Sequence, residues 1–330
     1  MIIVYFYINK KYLIMKNLFK LSALVLLFGF LLTSCEENRN DTETPKSIYE
    51  LASMDADLSN LKAAIDKAGL ASTLGASGSF TVFAPSNAAF TQFLTDNGFA
   101  SLNDVPNAAL KEILLNHVLS SKVMAAQVTT GYVSTLAKGS ASSTRNLSMY
   151  INTDSGVKIN GISTVTKTDI NATNGVIHKV DKVIGLPTVV THAIANPNFT
   201  SLVAALTRSD MPNFAGILSG TASSPFTVFA PTNAAFTSLL TELSLANLAA
   251  VPTATLENVL KYHVVAGANV ASTDITNNMN VTTFQGGAFK ITTTGGVKIT
   301  DANNRVSNVV ATDVQCSNGI IHVIDKVLIP

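Results

Sequence analysis

The chain contains the same sequence twice, and that duplication restricts its fold more than any other feature. TVFAPSNAAF (Thr81 to Phe90) returns as TVFAPTNAAF (Thr227 to Phe236), nine of ten residues identical at an offset of 146. NGVIHKVDKVI (Asn174 to Ile184) returns as NGIIHVIDKVL (Asn318 to Leu328) at an offset of 144. Between them His117 and His263 repeat the 146 offset near the ends of two similar helical patterns. A period of this length is too long for a solenoid unit and falls in the commonest range for one domain, about 100–150 residues. Two domains follow, expected at 47–186 and 187–330, each large enough to bury its own core.

The offset drifts, from 141 at Leu61 and Leu202 to 140 at Val157 and Val297. Insertions collect where surface loops absorb them. Met211 to Ser219 and Asp301 to Asn308 are accordingly expected to be loops.

Within each copy the apolar pattern runs from helical to strand-like. Leu58, Leu61, Ala64 and Ile65 form a stripe at helical spacing, matched by Phe199, Leu202, Ala205 and Leu206. Phe80 to Phe83 reads as a short strand, and Ser86, like Thr232, stands where its hydroxyl can cap the next helix. After the third helical stretch, β-branched residues and Asn, Gly and Asp turns take over. Helices first and strands last predict an α+β fold rather than a βαβ alternation.

Ahead of the first copy, Lys16 and Lys20 precede an apolar run from Leu21 to Leu32, then Thr33-Ser34-Cys35. That is the plan of a secretory signal peptide over residues 1–34, with Met15 a better start than Met1. The run is shorter than the roughly 20 residues of a membrane span. Cys35 after small residues resembles a bacterial lipoprotein box, so its thiol is the expected lipid attachment point and the membrane the first expected partner. Residues 35–46 then form an acidic tether too polar to fold. Glu36 and Glu37 favour display on the outer surface of the outer membrane, with the periplasm-facing side as the alternative.

Cleavage removes four lysines and no acid from 22 basic and 21 acidic residues, leaving a net charge of −3. A mildly acidic chain without a basic block has no electrostatic reason to bind nucleic acid. With Cys35 acylated, Cys316 is alone and no disulfide framework exists. Its counterpart is Ala172, so Cys316 reads as a small core filler.

Five histidines invite a catalytic reading, but four repeat as pairs, His117 with His263 and His178 with His322. Leu110, Ile113, Leu114, His117 and Val118 share one helical stripe, as do Leu256, Val259, Leu260, His263 and Val264, which turns both rings toward the core. Core histidines bonded to backbone are expected. No C-x-x-C or H-x-x-x-H spacing indicates a metal. Asp55, Asp57, Ser59 and Asp66 match four positions of a calcium loop, but a helix occupies the same residues. There is no phosphate-cradling glycine loop, dinucleotide fingerprint or nucleophile elbow, so no cofactor and no catalytic residue is expected. Asp181-Lys182 and Asp325-Lys326 read as a solvated sheet edge.

The strand entering TVFAP-[ST]-N-A-AF, the Tyr-His at a helix end and the closing NG-[VI]-IH segment together resemble the signatures of fasciclin-type adhesion domains, in order and twice. The resemblance covers about 47–186 and 187–330 and implies two tandem domains, each a wedge of two β-sheets covered by helices. It also implies a non-enzymatic protein that contacts an extracellular protein or matrix. Family members often carry an acid where this chain has Ala88 and Ala234, and Asn116 stands where the usual residue is Tyr. The Tyr-His segment contributes to partner binding in some animal relatives, which makes Tyr262 and His263 the first binding candidates, with Asn116 and His117 their counterparts. An accessory role in surface glycan capture is the alternative, weakened by the absence of Trp and the scarcity of Tyr for stacking. A hydrolase built on His263 ranks last.

Overall fold

The computed structural model describes residues 44–330; the leader, Cys35 and most of the tether lie outside the described residues. Lys46–Pro330 form one compact unit. Its first half opens with three short helices, α1 (Ile48–Met54), α2 (Ser59–Lys67) and α3 (Ala71–Gly75). Strand β1 (Phe80–Pro85) leads into α4 (Asn87–Asp96) and α5 (Asn107–Leu115). Six strands follow: β2 (Val118–Leu119), β3 (Gly131–Gly139), β4 (Ser142–Asn152), β5 (Lys158–Ile159), β6 (Ser163–Ala172) and β7 (Gly175–Val180). The second half repeats this order, with α6 (Val189–Ala195), α7 (Thr200–Leu206), α8 (Phe214–Ser219), β8 (Phe226–Pro231), α9 (Asn233–Glu242) and α10 (Thr253–Tyr262). Its closing strands are β9 (Val264–Ala266), β10 (Met279–Thr282), β11 (Ala288–Thr292), β12 (Lys298–Thr300), β13 (Val306–Cys316) and β14 (Gly319–Ile324).

The expected helix cap is present in both copies. Ala89 N donates to Ser86 Oγ at 3.2 Å and Ala235 N to Thr232 Oγ1 at 3.3 Å, each satisfying a first-turn amide. Met211 to Ser219, expected as a loop, instead contains α8, whose N-cap Asn213 accepts from Gly216 N at 2.9 Å. A six-residue helix offers too short a periodic stretch to show in sequence. In the second expected loop, a turn at Asp301–Arg305 is followed at once by β13, so only its first half is irregular.

Each domain has two cores because β1 and β8 alternate. Val82 and Ala84 face the helices, while Phe83 faces inward with Met149, Ile151 and Ile159. In the second copy Val228 and Ala230 face helices, and Phe229 packs with Phe289 and Ile299. That is the period-2 geometry of a strand buried on both faces. The strands of the first domain close on themselves, and those of the second form a seven-stranded sheet in the order β10-β11-β12-β13-β14-β8-β9. Helices layered on a folded sheet match the expected α+β wedge.

The repeated Asn-Gly builds the junction between layers. Asn174 Oδ1 accepts from Ile48 N at 2.9 Å and its Nδ2 donates to Leu74 O at 2.8 Å, tying α1 and α3 to the sheet. Asn318 does the same with Val189 N (3.0 Å) and Leu218 O (2.7 Å). The glycine lets β7 run beside β1 in parallel, because a Cβ on Gly175 would lie 2.0 Å from Phe80 O. This placement corrects the edge reading of Asp181 and Asp325. The closing strand lies between two neighbours, and the carboxylates accept from Thr164 N (2.6 Å) and Asn308 N (2.7 Å), fastening the adjacent strand.

The two domains are joined by the β3–β4 hairpin of the first. Ala141 N donates to Ser317 O at 3.0 Å, and Gln315 N to Ser148 Oγ at 3.0 Å. Arg145 reaches Thr273 Oγ1 at 2.6 Å. Gly139 lies so close to Ser317 that a Cβ there would meet its Cα at 2.5 Å.

Candidate functional site: the histidine clamps

The Asn-His and Tyr-His pairs, which share only the histidine, lie where α5 and α10 hand over to a strand. His117 follows α5 and His263 is the C-cap of α10, so neither ring sits within the helix whose stripe points to it. His117 Nδ1 donates to Ile113 O at 2.7 Å, and its Nε2 accepts from Ile184 N at 2.8 Å. His263 repeats both bonds, to Val259 O at 2.7 Å and from Leu328 N at 2.9 Å. The amide donor requires a bare Nε2, so each ring is the neutral Nδ1–H tautomer. Each clamps the last helical turn to the segment after the closing strand. Burial pulls both imidazoles down from 6.5 to about 4, against the opposing pull of the Ile113 or Val259 carbonyl.

The neighbouring residue differs between the copies. Asn116 is buried and donates from Nδ2 to Gly185 O at 3.0 Å. Tyr262 is fully buried, donates to Ala288 O at 2.7 Å and stands edge-on to Phe289 at 5.8 Å. Gly287 passes close over it, where a Cβ would lie 3.3 Å from the ring. All four binding candidates are therefore interior residues, and Tyr262 bonds the start of β11 beside the turn between β10 and β11. Phe284 on that turn is 40% exposed.

His178 and His322 hold a different loop. His178 Nε2 bonds Val123 O at 2.9 Å and Nδ1 accepts from Asp169 N at 3.2 Å; His322 Nε2 bonds Val270 O at 2.8 Å. Phe83 and Phe229 lie across their faces. A hydrolytic role would need a reachable nitrogen on His263, and both of its nitrogens are taken by backbone. Of the calcium-pattern acids, Asp55 and Asp57 are spent on Lys179, whose Nζ lies 2.7 Å and 3.2 Å away, and Asp66 on Lys62 and Tyr49. Cys316 is fully buried, and burial pushes its thiol well above 9. Cys35 lies outside the described residues.

Sequence reasoning missed the fifth histidine. His192, in α6, is buried at the domain junction with its ring edge-on to Tyr132 of the other domain at 5.3 Å. Among the described residues neither ring nitrogen meets a partner in hydrogen-bond geometry, and burial pulls it down to about 4, against the opposing pull of the Ser148 backbone. Asn196 Nδ2 reaches Tyr132 OH at 3.2 Å beside it. The counterpart of His192 is Leu51, so the repeat carried no signal.

The family model for the fasciclin domain matches residues 56–187 and 197–330. Protein sll1483 of Synechocystis is 39% identical over 143 residues, spanning 43% of this chain and 75% of that protein. Human periostin is 30% identical over 277 residues, 80% of this chain but 30% of periostin. Among solved structures, a FAS1 domain pair from the insect cell adhesion molecule fasciclin I aligns over 86% of this chain and 96% of that one, with 22% identity and a TM-score of 0.48.

Proposed function

This chain belongs to the fasciclin domain family, and on that premise we propose that it is a non-enzymatic binding protein, anchored through an acylated Cys35 and contacting an extracellular protein or matrix component. The leader, the lipoprotein-type Cys35 and the acidic tether support display at the outer membrane. Among the described residues no helix is long and apolar enough to cross a membrane.

The observation that carries the reading is the different use of one turn. In the first domain the turn after β3 is already a docking element, gripping Ser317 of the second domain through Ala141. Its counterpart, Thr283–Gly287, stands on Tyr262 and presents Phe284 to solvent. Tyr262 serves binding as a positioning residue that carries the turn, while His263 is part of the scaffold and locks the helix end beneath it. The glycan alternative finds little support, because Tyr150 is buried and packs at a tilt against Tyr132 at 4.9 Å rather than offering an open face.

The test is binding of the chain from residue 36 onward to cells and matrix proteins. Saturable binding is expected, with Phe284→Ala weakening it several-fold while the fold stays intact, as loss of an exposed aromatic anchor does. Absence of saturable binding to any extracellular protein or matrix preparation overturns the proposal.

A further inference from the structure

The second domain holds an opening whose mouth residues differ from their counterparts in the first domain. Between α6, α7, α8 and the helix-facing side of β8 lies a cavity of about 50 Å³, walled by hydrocarbon from Leu202, Leu218, Val228 and Ile321. His263 reaches it with both nitrogens already bonded to backbone. At the solvent end stand Val190, Val203, Thr207 and Ile194, the last 65% exposed. The Thr207 hydroxyl is turned to Val203 O at 2.8 Å, so it offers no donor to an occupant.

The repeat supplies an internal control. At the 141 offset of this region, those four mouth positions are Tyr49, Lys62, Asp66 and Ser53 in the first domain. There they form a polar latch: Tyr49 OH donates to Asp66 at 2.8 Å, Lys62 pairs with the same carboxylate at 2.6 Å, and Ser53 Oγ donates to Tyr49 O at 2.7 Å. The second domain replaces every member of the latch by a side chain that cannot close it.

We propose that this opening is a binding site for the end of a straight alkyl chain, supplied by a single-chain fatty acid. The lining accepts hydrocarbon and gives a polar group nothing to bond, which would make burial of such a group unfavourable. The volume selects chain over ring, since a dry apolar cavity known to take benzene is about 150 Å³. Arg208, beside the mouth, is held by Asp210 at 2.7 Å and by the Leu248 and Val251 carbonyls, so the head group stays in water unrecognised. Ile194 covers the chain where it leaves the cavity.

The experiment titrates dodecanoate, below its micelle concentration, into the chain from residue 35 onward carrying Cys35→Ser, and follows methyl NMR signals. Saturable shifts are expected at Val190, Val203 and Ile194, and dodecanol should bind within about threefold of dodecanoate because the head group is not read. Installing the latch with Val190→Tyr, Val203→Lys and Thr207→Asp should weaken binding at least tenfold. The reciprocal Tyr49→Val, Lys62→Val and Asp66→Thr variant should gain a second site in the first domain, and it decides the matter if the first variant fails to fold. Non-saturable partitioning, equal binding by the folded latched variant, no second site in the folded reciprocal variant, or binding of dodecanoate without dodecanol each overturns the proposal.

Discussion

Acid should destabilise this protein well above the pH at which its carboxylates titrate. His117, His192 and His263 are each held near pKa 4 in the folded state, against 6.5 when unfolded. Between those values the unfolded chain binds more protons than the folded one, so stability is fully present above pH 6.5 and falls as pH drops toward 4. With one pKa unit worth about 1.4 kcal/mol, each histidine removes about 2 kcal/mol by pH 5 and about 3 kcal/mol at pH 4. The physical event is specific at two of them: a proton on Nε2 turns the acceptor of Ile184 N or Leu328 N into a donor facing a donor. Carboxylates held low by partners, such as Asp55 and Asp325, keep their contribution above about pH 4 and lose it only as pH falls through their depressed values. The window from pH 7 to pH 5 therefore isolates the imidazoles. Urea unfolding followed by circular dichroism should show the second domain, with two such histidines, losing about 4 kcal/mol across that window if both act independently, and the first about 2 kcal/mol. Ring titrations of His117, His192 and His263 by NMR in the folded protein should stay flat to below pH 5. Equal stability at pH 7 and pH 5, or ring pKa values near 6.5, would refute the clamp.

Other substitutions probe the same scaffold. Asn318→Ala strands the Val189 amide and the Leu218 carbonyl in the interior, and should cost about 2–4 kcal/mol by chemical denaturation. Ala88→Asp restores an acid to the first turn of α4 and should raise stability by about 0.3–1 kcal/mol, whereas Ser86→Ala should lower it by about 1 kcal/mol. Gly139→Val drives a side chain into Ser317 and should separate the domains, read as a larger radius of gyration in solution scattering with the melting of each domain retained.

The repeated motifs made the scaffold legible because each of their residues bonds backbone at a fixed offset. Ser86 and Thr232 cap, Asn174 and Asn318 tie helices to sheet, and the histidine pairs clamp. What lay beyond sequence depended on contacts between distant segments. Asp181 reads as an edge charge until β7 is seen between β1 and β6, since nothing local announces a parallel neighbour. Tyr262 shows as a difference from Asn116, but its burial depends on Gly287 leaving room above the ring. His192 and the alkyl-sized opening are properties of one copy alone. A search for what the copies share passes over both, although Leu51 against His192 and Tyr49 against Val190 were open to inspection.

On the proposed function, the shared motif residues build the domains while exposed elements unique to one copy make the contact. Binding isotherms on a matrix-coated surface, paired with the folded fraction of each variant, test it most directly. His263→Gln should lose binding only in proportion to unfolding, while Phe284→Ala should lose it with the fold intact. A fully folded His263→Gln protein that no longer binds, beside a Phe284→Ala protein that binds normally, would contradict it.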